Sequence, residues 1–149
     1  MTDRGVSTVV GYIATLGVTA ILITGLLIAG GTFVEDQRQT TVREELKVIG
    51  QRLSGDVSAA DRIGHVGTDS DASIRRTLPS NVAGTPYTIR LTDSGGDPRL
   101  VLVSENPAVT VSVPIALQEG TDVVDAAIAP GDVVVEFDAT PDEVTIRNA

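Results

Sequence analysis

Cysteine and tryptophan are missing from this 149-residue chain, and His65 and Lys47 are its only histidine and lysine. Without Cys, disulfides, thiol catalysis and thiolate metal sites are excluded together. With one histidine, no His/Cys metal spacing exists, and any Ser-His-Asp triad would have to use His65. That residue lies in a loop-like stretch, where a lone histidine is expected to be solvated. No phosphate-binding loop or dinucleotide fingerprint follows a strand, and no Asn-x-Ser/Thr sequon is present. The acid pairs Asp69/Asp71 and Asp93/Asp97 miss the EF-hand spacing and its distal Glu, so they read as turn chemistry. The expectation is therefore no catalytic residue, no metal site and no cofactor. Aromatics are also scarce, with two Phe and two Tyr, so a core here rests on Val, Ile and Leu and is thin.

Positive charge is in short supply. Eleven basic residues face twenty acidic ones, for a net charge of −9. Such a chain repels phosphates and is not a nucleic-acid binder. Charge of either sign is absent from residues 6–34, and those 29 positions exceed the roughly 20 an α-helix needs to cross a bilayer. The acidity sits elsewhere: residues 64–149 hold thirteen acids and five bases. The chain thus divides into a leader (1–5), an apolar helix (6–34), its amphipathic continuation (35–63) and an acidic, solvated β-rich domain (64–149).

Within the apolar stretch, Gly11, Thr15 and Thr19 recur every four residues, and Gly25 and Ala29 repeat the step. In lipid, where apolar burial gives helices little reason to associate, small residues at this spacing allow close approach between helices. Beyond residue 34 the helical period continues in Val42, Leu46, Ile49, Leu53, Val57 and Ala60, one narrow apolar stripe. It is expected to be covered by the C-terminal domain, or alternatively by a coiled-coil partner. A helix over 6–63 is about 87 Å long at 1.5 Å per residue, with bending expected at Gly30-Gly31, Gly50 or Gly55.

After a polar connection over 64–73 the period changes to alternation. Strands are predicted at 87–91, 100–104, 109–117, 133–138 and 144–147, rich in Val, Ile and Thr. Turns are predicted at 93–98, 129–132 and 139–142. The fold class is therefore α+β: a long N-terminal apolar helix whose amphipathic half is packed by a small antiparallel sheet.

The N-terminus does not follow the order of an ordinary secretory signal, because no small-residue cleavage site follows the apolar stretch. Instead, Asp3-Arg4-Gly5-Val6-Ser7-Thr8-Val9-Val10-Gly11-Tyr12-Ile13 resembles the start of archaeal type IV pilins and flagellin-like proteins, over about the first 35 residues. Those proteins carry a class III signal peptide, cut by a prepilin peptidase before the apolar helix. The resemblance implies cutting at Arg4, Gly5 and Val6, a pilin-like fold and assembly with other pilin subunits through the helix. Thr8 stands where many relatives have Pro, and Val10 where bacterial pilins have Glu. The Asp-rich, Lys-poor composition resembles proteins of salt-loving archaea. Together these imply a subunit of a cell-surface filament, of the minor kind and not an enzyme. It would be held first by membrane lipid as a single-pass protein with its C-terminal domain outside the cell. The alternative is an uncleaved single-span anchor displaying a β domain for binding, with Arg4 as the positive flank of the span.

Overall fold

In the computed structural model of the chain, residues 3–66 and 70–149 are described, with side chains from Thr8 onward. One helix, α1 (Asp3–Val66), is followed by eight strands. The chain divides into two compact units between Gln37 and Arg38. Among the described residues the first unit is helix alone. The second holds the amphipathic half of α1 and every strand.

The strands are β1 (Ala72–Thr77), β2 (Tyr87–Asp93), β3 (Pro98–Glu105), β4 (Ala108–Pro114), β5 (Asp122–Val123), β6 (Ala126–Ile128), β7 (Asp132–Ala139) and β8 (Asp142–Asn148). The alternation predicts five strands in one sheet; the structure has eight in two, ordered β1-β7-β8-β5 and β4-β3-β2-β6. All pairings are antiparallel except β5 with β8. The strand predicted over 109–117 ends at Pro114, which cannot donate to a ladder. Two of the three hairpin loops, β2–β3 and β7–β8, fall where predicted; the third, at Asn106 and Pro107 between β3 and β4, lies outside the predicted turns. Gly95 and Gly96 take φ of 77° and 87° between β2 and β3, a left-handed conformation that glycine adopts freely. The Asp93 carboxylate accepts the Gly96 and Asp97 N–H groups at 2.8 Å each. Two residues, Thr140 and Pro141, join β7 to β8.

The six-residue stripe faces the sheets. Val42, Leu46, Leu53, Val57 and Ala60 are fully buried and Ile49 nearly so, alongside Ile89, Leu91, Leu100, Leu102, Val133, Val135, Phe137, Val144 and Ile146. Fully burying one Val, Leu or Ile side chain contributes about 1.5–3 kcal/mol, so a core with only one buried Phe still holds the unit.

Two glycines set how closely α1 approaches. A Cβ on Gly50 would lie 2.8 Å from Val113 Cγ2 and 2.9 Å from Leu102 Cδ1, and one on Gly64 would collide with the edge of the Phe137 ring. Gly50 therefore serves contact with β3 and β4, and Gly64 contact with β7. The helix continues through Gly30, Gly31, Gly50, Gly55 and Gly64. The connection expected over 64–73 is correspondingly shorter: α1 runs to Val66 and β1 starts at Ala72.

Polar groups on the same helix also fasten it, Glu45 by accepting Ala83 N–H at 3.0 Å and three further residues nearer its C-terminal end. Asp56 accepts Arg76 of β1 in a two-pronged pair, with Nε to Oδ2 at 2.7 Å. Ser54 donates to Pro114 O at the end of β4, 2.8 Å. Asp61 holds the chain leaving β4, accepting Gln118 N–H at 2.9 Å and the Thr121 hydroxyl at 2.7 Å.

Candidate functional site

The surface that sets this chain apart is the apolar first unit. From Val9 to Val34, fourteen large apolar side chains are exposed, among them Leu26 at 77% and Ile21 at 73%. This is one helix long and apolar enough to cross a membrane, with none of its apolar window buried within the chain. At about 1.5–3 kcal/mol per side chain, keeping all fourteen in water costs on the order of tens of kcal/mol. That exceeds the roughly 5–15 kcal/mol by which a whole domain is stable, so this surface governs where the protein resides.

Gly11, Thr15, Thr19, Gly25 and Ala29 are all exposed on this helix. A Cβ on Gly11 or Gly25 would meet nothing within 4 Å, so these positions are open to close approach by another helix. The threonine hydroxyls are already used locally: Thr15 donates to Gly11 O at 2.9 Å, Thr19 to Thr15 O at 2.8 Å and Thr24 to Ala20 O at 2.8 Å. Such back-bonding satisfies each hydroxyl where no water is present. Arg4, Gly5 and Val6 belong to the helical range by backbone, but their side chains lie outside the described residues.

In the second unit, the described titratable side chains are engaged mostly in structural contacts. His65 is not in a loop, as the sequence suggested, but in the last turn of α1. The helix includes Gly64, where the close Phe137 ring leaves no room for a Cβ. The imidazole lies against that ring, centroids 5.1 Å apart, with Nδ1 2.9 Å from Asp61 O and 3.4 Å from the buried Asp61 carboxylate. Asp61 is spent on Gln118 and Thr121, so the trio is a structural tie.

A cleft of about 440 Å³ is lined by Asp71, Glu136, Asp138 and Glu143. Three of these acids are engaged: Asp71 accepts Ala139 N–H at 3.2 Å, Asp138 accepts Thr140 N–H at 3.0 Å, and Glu136 is held by Arg147 at 2.6 and 2.8 Å. The Arg147 hydrogen bonds, with smaller help from the charges of Arg147 and Arg75, hold the Glu136 carboxyl below its ordinary pKa. Among the described residues, no group of three or more His, Cys, Asp or Glu side chains could hold a metal ion. Asp69 lies outside the described residues; Asp97 pairs with Arg99.

A family model matches the chain over its full length, residues 1–149. The chain belongs to DUF7266, a family of unknown function. No curated protein and no solved structure matches it. In this DUF7266 chain the long apolar helix is the most exposed apolar surface among the described residues. The stripe Val42, Leu46, Ile49, Leu53, Val57 and Ala60 is covered by the chain's own sheets and takes no part in that surface.

Proposed function

We propose that this DUF7266 chain is a pilin-like structural subunit, a minor one, of a cell-surface filament. The observation that carries the reading is the uncovered apolar helix of the first unit, preceded by Arg4, Gly5 and Val6 in the order that resembles a class III signal peptide. Before assembly the helix sits in membrane lipid as a single span with the acidic domain outside the cell. A prepilin peptidase cuts between Gly5 and Val6. The helix then leaves the bilayer for a core of like helices, where lipid contacts are exchanged for helix contacts and little apolar surface meets water. Gly11 and Gly25, with open space above them, are the points of closest approach to neighbouring subunits. The role is structural, without a catalytic residue, cofactor or nucleic-acid partner.

One observation favours a second reading, a single-span anchor that is never cut and presents its β domain for binding. The hydroxyls of Thr15, Thr19, Thr24 and Thr32 are satisfied within their own helix, so the span is self-sufficient in lipid without any partner. Mass spectrometry of the native N-terminus separates the two. The filament subunit starts at Val6 and the anchor near Met1. Replacing Gly5 with Leu is expected to leave the precursor uncut; a normally shortened product from that variant would exclude the peptidase assignment.

A further inference from the structure

Four strands form the outer edges of the two sheets: β1, β5, β4 and β6. Three of them resist further pairing. β5 has two residues and β6 three, and β1 carries Arg75 and Arg76. Short length and charge are the usual means by which edges are kept from adding a foreign strand. β4 has neither. Its seven residues include no charged side chain and pair one for one with β3, from Arg99↔Pro114 to Glu105↔Ala108, without a bulge.

The hydrogen-bond phase fixes where the β4 backbone points. Ile115 N–H donates to Pro98 O at 3.0 Å, one step beyond the Arg99↔Pro114 pair. Antiparallel pairs alternate between bonded and non-bonded. Val109, Val111 and Val113 therefore turn their N–H and C=O groups to β3, while Ala108, Thr110 and Ser112 turn theirs outward. Pro114 obeys the same phase: it has no N–H to place, and its outward carbonyl takes the Ser54 hydroxyl. No hydrogen bond among the described residues reaches the outward N–H and C=O groups of Thr110 and Ser112.

We propose that β4 is a homotypic pairing edge, to which β4 of a second copy of this chain adds antiparallel, joining two β4-β3-β2-β6 sheets into one. A row of free backbone donors and acceptors is matched by another strand. That the strand is a second copy follows from the edge itself: Val109-Thr110-Val111-Ser112-Val113 has the same pattern in both directions. A twofold axis at Val111 sets Thr110 of each copy opposite Ser112 of the other. Both residues point their backbone groups outward, so each such pair exchanges two N–H···O bonds, and the free groups of both copies are satisfied together. On the exposed face the two hydroxyl side chains lie side by side, a favourable cross-strand pairing. A strand bearing charges at these positions gains no ion pair, because β4 offers none. The inference does not rest on the fate of the N-terminal helix.

The lack of cysteine makes the full-length chain a clean background for the test. Thr110→Cys and Ser112→Cys proteins, purified in detergent, are oxidised alone and as an equal mixture. In a hydrogen-bonded antiparallel pair the Cα atoms are about 5.5 Å apart, within disulfide reach, whereas same-residue contacts about the axis are diagonal at about 7–8 Å. The mixture is expected to give several-fold more disulfide dimer than either protein alone, and more than Thr88→Cys on the interior strand β2. Association through the N-terminal helices raises all samples alike and does not mimic this pattern. Independently, the double variant Thr110→Lys/Ser112→Lys is expected to weaken self-association at least tenfold by sedimentation, with its circular dichroism unchanged. A mixed sample no richer in dimer than the Thr88→Cys control, or self-association untouched by the two lysines, overturns the proposal.

Discussion

Asp61 and Tyr87 show how single polar groups become structural once buried. Asp61 is 1% exposed, and it accepts two hydrogen bonds, from the Gln118 N–H and the Thr121 hydroxyl. An intramolecular hydrogen bond contributes about 0.5–1.5 kcal/mol net, so the two together contribute about 1–3 kcal/mol. Asp61→Ala is therefore expected to lower unfolding stability by at least that range, followed by circular dichroism in urea. A loss within about 0.5 kcal/mol, typical of a plain surface site, would remove the tie from the account. Tyr87 gives its hydroxyl to Pro79 O at 2.8 Å, and burial pushes its phenol up to about 12. An unfolded tyrosine ionises near 10, so between about 10 and about 12 the unfolded chain loses a proton that the folded chain keeps. Stability that Tyr87 contributes is thus intact below about 10 and drains away as pH rises to about 12. In a Tyr12→Phe background the remaining phenolate absorbance should rise around pH 12, and a midpoint at the ordinary value would contradict the burial. Neither residue was marked out in the sequence, because an Asp after Ala60 and a Tyr opening a strand show no partner until distant chain is brought to them.

Elements differ in how openly the sequence declares them. The stripe from Val42 to Ala60 is readable because helical period and burial coincide, and each of its residues meets the sheets. Leu53→Ala should cost about 2–5 kcal/mol, as truncation of a fully buried Leu does, while Val48→Ala on the exposed side should stay within about 0.5 kcal/mol. Thermal melts of the two variants decide this, and similar losses from both would mean that the helix face is misassigned. β1 escaped notice because Arg75 and Arg76 interrupt its alternation. Arg76 is nevertheless placed to reach Asp56 on the helix, so a charge stands where an apolar residue would be expected. β5 and β6 are too short to show a period at all. Gly64 misled in the opposite sense: a helix-weakening residue lies inside α1, where Phe137 occupies the space of a side chain.

At the scale of the molecule, two units with opposite needs share one helix. A fragment of residues 38–149 has its apolar stripe covered and carries most of the acidic surface, so it is expected to stay in solution without detergent. The full chain, with its exposed residues from Val9 to Val34, is expected to partition into the detergent phase. Phase separation of the two proteins checks this, and a full chain that remains in the aqueous phase as a monomer would sink the membrane reading and the proposed filament with it. Properties set by order along the chain were determined by the sequence alone: the uncharged stretch, the amphipathic face after it, the five longer strands and the loops at 93–98 and 139–142, since period and composition act locally. The division into two sheets, the glycine contacts at positions 50 and 64, the clasp of Asp61 and the seven-residue uncharged edge at β4 were decided only by the tertiary structure. Each depends on which distant residues meet, and the alternation of a strand specifies its two faces without naming its neighbour.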